Sequence, residues 1–310
     1  MRIAILGAGA MGSLFGGLLA EAGEDVTLID VNDAHLDAIR RDGLRIENEH
    51  GDRRIATLCA VRPDAAQPAH GEPFDLLIVF TKSLHTRAAL DGVRALLTAH
   101  TAVLTLQNGL GNVDTLRAFV PPERILVGVT TWPADVVGPG HVRSHGAGMI
   151  RMMTADGAPR PIASAAAAAL TRAGLACELD ADVWAAIWEK VAFNAALNTL
   201  CAVTGCTVDQ LGACDDGPRI ALAIVAETAA VARAKGIAVD QERIADKVRH
   251  AIDAHRGHRP SMLQDVLAGR RTEIDAINGA VVATAREAGV AVPHVETLLG
   301  LVRLIDARHA

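Results

Sequence analysis

The first thirty residues constrain the fold of this chain more than any other stretch. A short apolar strand over residues 3–6 runs directly into Gly7-Ala8-Gly9-Ala10-Met11-Gly12, and a second apolar strand over residues 26–29 ends on Asp30. A glycine turn of this spacing, between a strand and an apolar helix and about 20 residues ahead of an acidic strand end, is typical of a dinucleotide-binding βαβ unit. The stretch predicts a doubly wound α/β domain of the Rossmann type.

The residues of the turn have separate expected roles. Gly7 permits the tight turn, Gly9 lets the backbone approach a pyrophosphate, and Gly12 lets the helix pack on the strand. The helix N-terminus offers free N–H groups to the phosphates, and Asp30 is expected to accept hydrogen bonds from the adenosine ribose. We therefore predict that residues 7–12 and Asp30 bind the cofactor. Glycines that only serve turns in an unrelated α/β protein are the less favoured alternative.

Length and charge narrow the class of protein further. The chain has 310 residues, of which 50% are hydrophobic, and this is enough for two domains sharing one cleft. Its net charge is −6, it has no run of Lys or Arg, and only 3% of its residues are aromatic. These values disfavour a nucleic-acid or anionic-membrane surface and favour a small-molecule partner.

Cysteine and histidine usage predicts no metal site. The five cysteines include no CxxC pair, so we expect reduced thiols in a cytoplasmic protein. The N-terminal apolar residues are assigned to a strand and not to a signal peptide. No apolar run is long enough to span a membrane. The histidines, His35 among them, show no metal-ligand spacing such as HExxH and are predicted to lie on the surface or in turns.

The remaining pattern predicts two domains. Apolar strands over 75–80, 101–106 and 125–129, separated by stretches with helical patterning, indicate a parallel sheet. Polar loops follow these strands at 81–83, 107–109 and 130–133, and Lys82 is expected to reach the cofactor, although a solvated lysine is the alternative. Residues 136–153 suggest a few antiparallel strands that extend the sheet.

Beyond about residue 180 the pattern is helical almost to the end. We predict a Rossmann domain over 1–178 and an all-α substrate-binding and catalytic domain over 179–310, with the substrate in the cleft between them. The apolar helices over 219–234 and 279–303 could supply a homodimer surface, although a buried core is the commoner use of such faces.

A polar ladder interrupts one apolar helix of the second domain. Lys190, Asn194 and Asn198 recur every four residues and share one helical face, in a chain with only four lysines. An ammonium can donate a proton to a carbonyl oxygen as hydride arrives, whereas the pKa of arginine is too high for this role. The ladder could also hold a substrate carboxylate. A solvated face on an amphipathic helix is the alternative, and the pattern leaves both open.

A second polar cluster follows the turn at 257–260. Ser261 could contact a substrate carboxylate, and Glu273 could lie near Lys190 and favour its charged form. Ser261 and Gln264 also have the spacing of a helix capping box, and Glu273 could be a surface acid near Arg270. Sequence distance does not decide between these interpretations.

Taken together, these motifs resemble the ketopantoate reductase family, or 2-dehydropantoate 2-reductases, over nearly the whole chain. The resemblance rests on the glycine turn, on Trp188-Glu-Lys190-Val-Ala-Phe-Asn194 with Asn198, and on Ser261-Met-Leu-Gln-Asp265 followed by Thr272-Glu273-Ile-Asp-Ala-Ile-Asn278-Gly279. Gln107-Asn108-Gly109-Leu-Gly111 supports it. These separated motifs are much more specific together than the glycine turn alone.

The resemblance implies an activity and roles for residues. The family reduces a branched 2-oxo acid, ketopantoate, to the D-2-hydroxy acid pantoate with NAD(P)H, in pantothenate biosynthesis. By resemblance, Lys190 is the general acid and Glu273 orients it. Asn108 lies beside the nicotinamide and the lysine, while Asn194, Asn198 and Ser261 hold the substrate.

Three positions depart from the family pattern. Family members that use NADPH carry a basic residue where this chain has Asp30-Val31, and a carboxylate repels a 2′-phosphate, so we predict a preference for NADH. His258 and Trp132 also depart from the pattern, so the identity of the substrate stays open. The first alternative is ketopantoate. The second is a bulkier 2-oxo acid, which would make the chain an NAD-dependent D-2-hydroxy acid dehydrogenase of the same family. A non-catalytic dinucleotide sensor is disfavoured because the candidate catalytic groups are present.

Overall fold

The structure is a computed structural model that describes residues 1–49, 51–67 and 71–308. The chain forms two compact units. The first comprises Met1–Gln107 and Asn112–Val183, and the second comprises Asn108–Gly111 and Trp184–Ala310. A short segment from the first half of the chain therefore belongs to the second unit. The boundary at 178/179 stays a prediction.

The strands of the described residues lie in the first unit. They are β1 (Arg2–Leu6), β2 (Asp25–Ile29), β3 (Leu44–Asn48), β4 (Gly51–Ile55), β5 (Cys59–Val61), β6 (Leu76–Val79), β7 (Ala102–Thr105), β8 (Ile125–Thr130), β9 (Asp135–Gly138), β10 (His141–Arg143), β11 (Ile150–Thr154) and β12 (Cys177–Leu179). Its helices are α1 (Ala10–Glu21), α2 (Asp33–Asp42), α3 (Thr86–Gly92), α4 (Asn112–Leu116) and α5 (Pro161–Arg172).

The main sheet confirms the predicted doubly wound fold. Its order is β12-β11-β8-β7-β6-β1-β2-β5, and the pairs from β8 to β5 are all parallel. Strands β6, β7 and β8 are buried along their whole length, as expected of parallel strands covered on both faces. The strand order reverses between β1 and β6, which is where ligands bind in folds of this kind.

The prediction for residues 136–153 was only partly right. Strand β11 does extend the main sheet, antiparallel to β8. Strands β9 and β10, however, belong to a separate sheet of order β4-β3-β10-β9. Strands β3, β4 and β5 also lie in a stretch for which no strand was predicted. The second sheet was missed because β3 and β4 are polar on one face, and β3 pairs with the distant β10.

The second unit is helical, as predicted, in its described residues. Its helices are α6 (Val183–Thr204), α7 (Asp216–Ala234), α8 (Gln241–Ala254), α9 (Ser261–Leu267), α10 (Ala280–Ala288) and α11 (Pro293–Asp306), with a π-helical turn over Asp275–Gly279 just before α10. Within the described ranges, no helix is long and apolar enough to cross a membrane.

Candidate active site

The glycine turn of the first unit is shaped by close backbone contacts. Gly7 has a φ of 97°, which disfavours other residues, and its N–H donates to the Ile29 carbonyl at 2.8 Å. A Cβ on Gly12 would lie only 1.9 Å from the Gly7 carbonyl oxygen. A Cβ on Gly9, by contrast, would meet nothing within 4 Å. Gly9 therefore faces open space, and a pyrophosphate could approach the backbone there.

Asp30 holds the turn in place. One carboxylate oxygen accepts the Ala8 N–H at 2.6 Å, and the other accepts the N–H groups of Val31 and Asn32 at 2.7 and 2.9 Å. A carboxylate has about four lone-pair sites, so one remains for a ribose hydroxyl. The side chain thus has a structural role besides the predicted one.

A cavity of about 490 Å³ opens beside the turn. Gly7, Gly9, Asp30 and Lys82 line it, as predicted for a cofactor site. Thr81, from the polar loop predicted after β6, lines it as well. Sequence reasoning missed a further set of lining residues, from the end of β6 onward and from the segment after β5: Pro63, Phe80, His85, Ala88, Ala89 and Gly92. The position of Phe80 directly after β6 was the available signal, because the carboxyl ends of parallel strands meet at one edge.

Gln107 joins two of the predicted strand-end loops. Its amide nitrogen donates to the Thr81 carbonyl at 2.6 Å and to the Thr86 hydroxyl at 2.7 Å. Its amide oxygen accepts from the Thr105 hydroxyl at 3.0 Å. The loops after β6 and β7 are therefore fixed to each other at the edge of the cavity.

His35 is not the surface or turn residue that was expected. It lies in α2, is only 3% exposed, and forms hydrogen bonds through both ring nitrogens. It occupies the same helical face as Leu36 and Ile39, which are also buried. That i, i+4 spacing was the signal that could have found it. His50, His70 and His309 lie outside the described residues.

In the second unit, Lys190 and Glu273 come close together. Lys190 lies in α6 and is partly buried. Its withdrawal from water lowers the pKa of its ammonium to about 8, while the charge of Glu273 acts in the opposite direction. The lysine therefore keeps a proton at neutral pH and can release it readily.

The next two positions of the ladder are buried rather than solvated. Asn194 is 8% exposed and Asn198 is 6% exposed. Within the part of the chain that the structure describes, neither amide has a hydrogen-bond partner on another side chain. Buried amides are normally hydrogen-bonded, so this pair is suited to a polar ligand. The solvated-face interpretation does not fit these positions.

The capping-box interpretation of Ser261 does not fit either. Pro260 is the N-cap of α9, and the Ser261 side chain makes no capping bond. The Gln264 amide donates instead to the Arg259 carbonyl at 2.9 Å. Arg270 pairs with Asp265 at 3.1 Å. The exposed Ser261 hydroxyl lies at the first position of α9.

The Asn108 loop contacts the π-helical turn that follows Glu273. The Leu110 N–H donates to the Ala276 carbonyl at 2.8 Å. Gly109 has a φ of 87°, and a Cβ there would lie 2.3 Å from the same carbonyl oxygen. Only glycine allows this approach without strain. The segment that carries Asn108 is thereby fixed to the segment that carries Glu273.

Two further groups of the second unit were missed. Glu189, next to Lys190, is buried and forms ion pairs with Arg243 and Lys247 of α8. Asn278, in the π-helical turn, is fully buried, and neither its amide oxygen nor its amide nitrogen has a hydrogen-bond partner in the described residues. Helices with π-turns often occur at functional sites. The motif around Asn278 was recognised, but its burial was not.

Comparison with known proteins identifies the family. The model of ketopantoate reductase PanE/ApbA matches residues 3–157, and the model of the C-terminal domain of the same family matches residues 182–306. The chain belongs to the ketopantoate reductase family. It is therefore an NAD(P)H-dependent oxidoreductase of a family that acts on CH–OH groups.

Relatives cover nearly the whole chain. A 2-dehydropantoate 2-reductase of Halobacterium salinarum is 36% identical over 305 residues, covering 98% of both chains. One of Streptococcus pyogenes serotype M3 is 33% identical over 309 residues, covering 99% of this chain and 98% of its own. A D-mandelate dehydrogenase structure, with NADH and anilino(oxo)acetate, is 32% identical, has a TM-score of 0.92, and is matched over 100% of this chain and 99% of its own.

Trp132 and His258, which depart from the ketopantoate reductase pattern, have different surroundings. Trp132 packs against the core of the first unit, and a Cβ on Gly148 would lie 2.5 Å from it. His258 is exposed and lies 5.9 Å from the His255 ring, edge to face. The bulk of Trp132 is thus at least partly used in packing.

Proposed function

We infer that this chain reduces a 2-oxo acid to the D-2-hydroxy acid, with Lys190 as the proton donor. The observation that carries this is the environment of Lys190, whose pKa lies at about 8 beside Glu273. A general acid works best when its pKa lies near the operating pH. A bound reduced nicotinamide supplies the hydride that adds to the carbonyl carbon.

The protein supplies the proton and the orientation. As the carbonyl carbon is reduced, the carbonyl oxygen takes a proton from the Nζ of Lys190 and becomes the hydroxyl. The lysine is left neutral and regains its proton from water. Glu273 keeps the ammonium charged before the reaction, because a nearby carboxylate favours the protonated form. Glu273 also orients the lysine.

The buried amides are proposed to hold the substrate. Asn194 and Asn198 have donors free for a carboxylate or a hydroxyl, and burial strengthens such bonds. Asn108 and Ser261 are proposed to complete the substrate contacts, and Asn108 also to touch the nicotinamide. The first substrate candidate is ketopantoate, because the curated relatives bear that activity in their names.

A second candidate is an NAD-dependent D-2-hydroxy acid dehydrogenase for bulkier 2-oxo acids. The structural similarity to D-mandelate dehydrogenase, with its TM-score of 0.92, favours it. For either substrate we propose NADH as the preferred cofactor, bound by residues 7–12, Asp30 and Lys82. The Asp30 carboxylate repels a 2′-phosphate and accepts from a free ribose hydroxyl.

The test is a comparison of initial rates with three substrates: ketopantoate, 2-oxoisovalerate and phenylglyoxylate. Each is assayed with NADH and with NADPH. The highest kcat/KM with ketopantoate supports the first candidate, and the highest with phenylglyoxylate supports the second. Lys190→Ala should lose at least about 100-fold in turnover while its Kd for NADH changes little.

Lys235→Ala is the matched control, because Lys235 is a surface lysine paired with Glu287 at 3.6 Å. It should keep the turnover of the unmodified protein. Equal turnover in Lys190→Ala and Lys235→Ala would contradict the assignment of Lys190. Binding of NADH without turnover of any substrate would instead support the dinucleotide sensor.

A further inference from the structure

The peptide group between Ala8 and Gly9 determines where one donor of the glycine turn points. Ala8 is 2% exposed, whereas Gly9 is exposed and lines the cavity beside the turn. A trans peptide is planar, so the Ala8 carbonyl and the Gly9 N–H point in opposite directions. Whatever holds the Ala8 oxygen inside the protein therefore aims the Gly9 N–H outward, toward the space where a pyrophosphate can approach.

A buried chain of hydrogen bonds holds that oxygen. The Ser13 hydroxyl donates to the Ala8 carbonyl at 2.7 Å and lies 3.0 Å from Nε2 of His35. The Gly140 N–H donates to Nδ1 of His35 at 3.1 Å. Ser13 is fully buried and His35 is 3% exposed. The chain runs from the second sheet, through α2 and α1, to the glycine turn.

The chemistry of the donors fixes the direction of the chain. A backbone N–H can only donate, so Nδ1 of His35 accepts from Gly140 and carries no proton. The neutral ring then bears its proton on Nε2 and donates it to the Ser13 oxygen. The single hydroxyl proton of Ser13 is left for Ala8. The bond from Gly140 requires the neutral ring, because only an unprotonated Nδ1 can accept a hydrogen bond.

We propose that His35 and Ser13 are positioning residues for the dinucleotide, and that protonation of His35 weakens its binding. An imidazolium has N–H groups on both nitrogens, so Nδ1 would present a donor to the Gly140 N–H. Relief of that conflict moves the ring away from Ser13, and the Ala8 carbonyl loses its fixed orientation. The proposal rests on dinucleotide binding by the family and not on the identity of the 2-oxo acid.

The surroundings of His35 favour the neutral ring at neutral pH. Burial lowers the pKa of His35 below 6.5, and the charge of Asp30, at the end of β2, opposes this only in part. The groups that contact the ring from neighbouring elements, Ser13 and Gly140, are uncharged. The nearby ionisable side chain of His141, next to Gly140, lies 3.4 Å from the Glu47 carboxylate. Because the pKa is lowered, the charged ring forms only as the pH falls below 6.5.

The experiment measures dinucleotide binding directly, without turnover. Calorimetric titrations with NADH, and with acid-stable ADP-ribose, are made between about pH 7.5 and about pH 5.5. We expect the Kd of the unmodified protein to rise about 5- to 10-fold toward acid, as one oriented hydrogen bond is lost. Ser13→Ala should have a Kd raised by a similar factor at neutral pH and little further change in acid.

Two His35 variants distinguish the roles of the two ring nitrogens. In His35→Gln the amide nitrogen can replace Nε2 and donate to Ser13, so binding should be near normal and independent of pH. In His35→Asn the shorter amide can accept from Gly140 but cannot reach Ser13, so binding should resemble that of Ser13→Ala. His100→Gln, at an exposed histidine, is the control and should keep the pH dependence of the unmodified protein.

The proposal is overturned by a Kd of the unmodified protein that is constant or lower in acid. It is also overturned by a folded Ser13→Ala that binds with normal Kd and normal pH dependence. Normal dinucleotide binding with no turnover of any 2-oxo acid would count against the proposed function only, so the two failures are distinguishable. The pH titration of the unmodified protein decides the matter even where a variant does not fold.

Discussion

At the scale of single residues, the ammonium of Lys190 is subject to two opposed influences. Withdrawal from water lowers its pKa, Glu273 raises it, and the result lies at about 8. An arginine at this position would stay protonated throughout the physiological range and could not release a proton. A lysine whose pKa lies at about 8 can both hold and release a proton in that range, as the proposed role of proton donor requires.

The first prediction concerns pH. As the proposed proton donor, Lys190 can act only when charged, so kcat/KM for reduction should fall as the pH rises through about 8. Glu273 raises the pKa of Lys190, so Glu273→Gln should move this alkaline limb to lower pH. A pH profile of kcat/KM measures the shift. Glu287→Gln, at an exposed acid, is the control, and an unmoved limb in Glu273→Gln would contradict the pairing.

The second prediction concerns the cofactor. Replacing Asp30 by Ala would remove the acceptor of three backbone N–H groups, so Asp30→Asn combined with Val31→Arg is the milder change. The ratio of kcat/KM with NADH to that with NADPH should fall at least about tenfold, because a repulsive charge is replaced by an attractive one. A loss of activity that affects both cofactors equally does not change this ratio. Val31→Ala is the control, and an unchanged ratio would show that another group sets the preference.

At the scale of elements, much of the site is built by contacts between backbones. The glycine turn touches the loop after β6, and the Asn108 loop touches the π-helical turn after Glu273. The sequence contains both motifs of the second contact, but nothing in either one indicates that Leu110 meets Ala276. Pairing of distant segments is decided by tertiary packing, which a local pattern does not encode. The residue types of the candidate site were therefore predictable, whereas the backbone contacts that hold them in place were not.

The third prediction tests that contact. Gly109→Ala should lower kcat/KM about 10- to 100-fold, because the added Cβ would collide with the Ala276 carbonyl and displace groups proposed to be catalytic. Gly111→Ala is a matched control. Gly111 has a similar φ of 81°, but a Cβ there would meet nothing within 4 Å. Equal losses in the two variants would show that backbone strain, and not the contact, is responsible.

At the scale of the whole molecule, the sequence predicts the core of each unit only in part. The apolar strands and helices were predictable because their periodicity reflects burial. The second sheet, the buried His35 and the ties between distant helices were not, because each depends on partners far away in sequence. One such tie joins α7 to the start of α11, where Glu227 accepts the N–H groups of His294 and Val295 at 3.1 and 3.0 Å. The possible homodimer surface on 219–234 and 279–303 stays a prediction.

The fourth prediction concerns the stability of the second unit. Glu227→Ala leaves two N–H groups of the first turn of α11 without their acceptor and should cost about 2 kcal/mol in the free energy of unfolding. This corresponds to a fall in Tm of about 4–8 °C by calorimetry. Glu227→Gln keeps one acceptor oxygen and should lose about half as much. Glu242→Ala, at an exposed acid of α8, should lose little, and a Glu227→Ala variant as stable as this control would contradict the prediction.

The assignment of Asn108–Gly111 to the second unit has a consequence for inheritance. The chain passes between the units after Gln107, after Gly111 and after Val183, so no single cut separates them. A fragment that begins at Trp184 would carry Ala276 without the Leu110 N–H that it binds. A recombination event between two relatives with one crossover near residue 183 would join the Asn108 loop of one parent to the Glu273 turn of the other. The two units are therefore expected to be inherited together, so that the Asn108 loop and the turn after Glu273 come from the same parent.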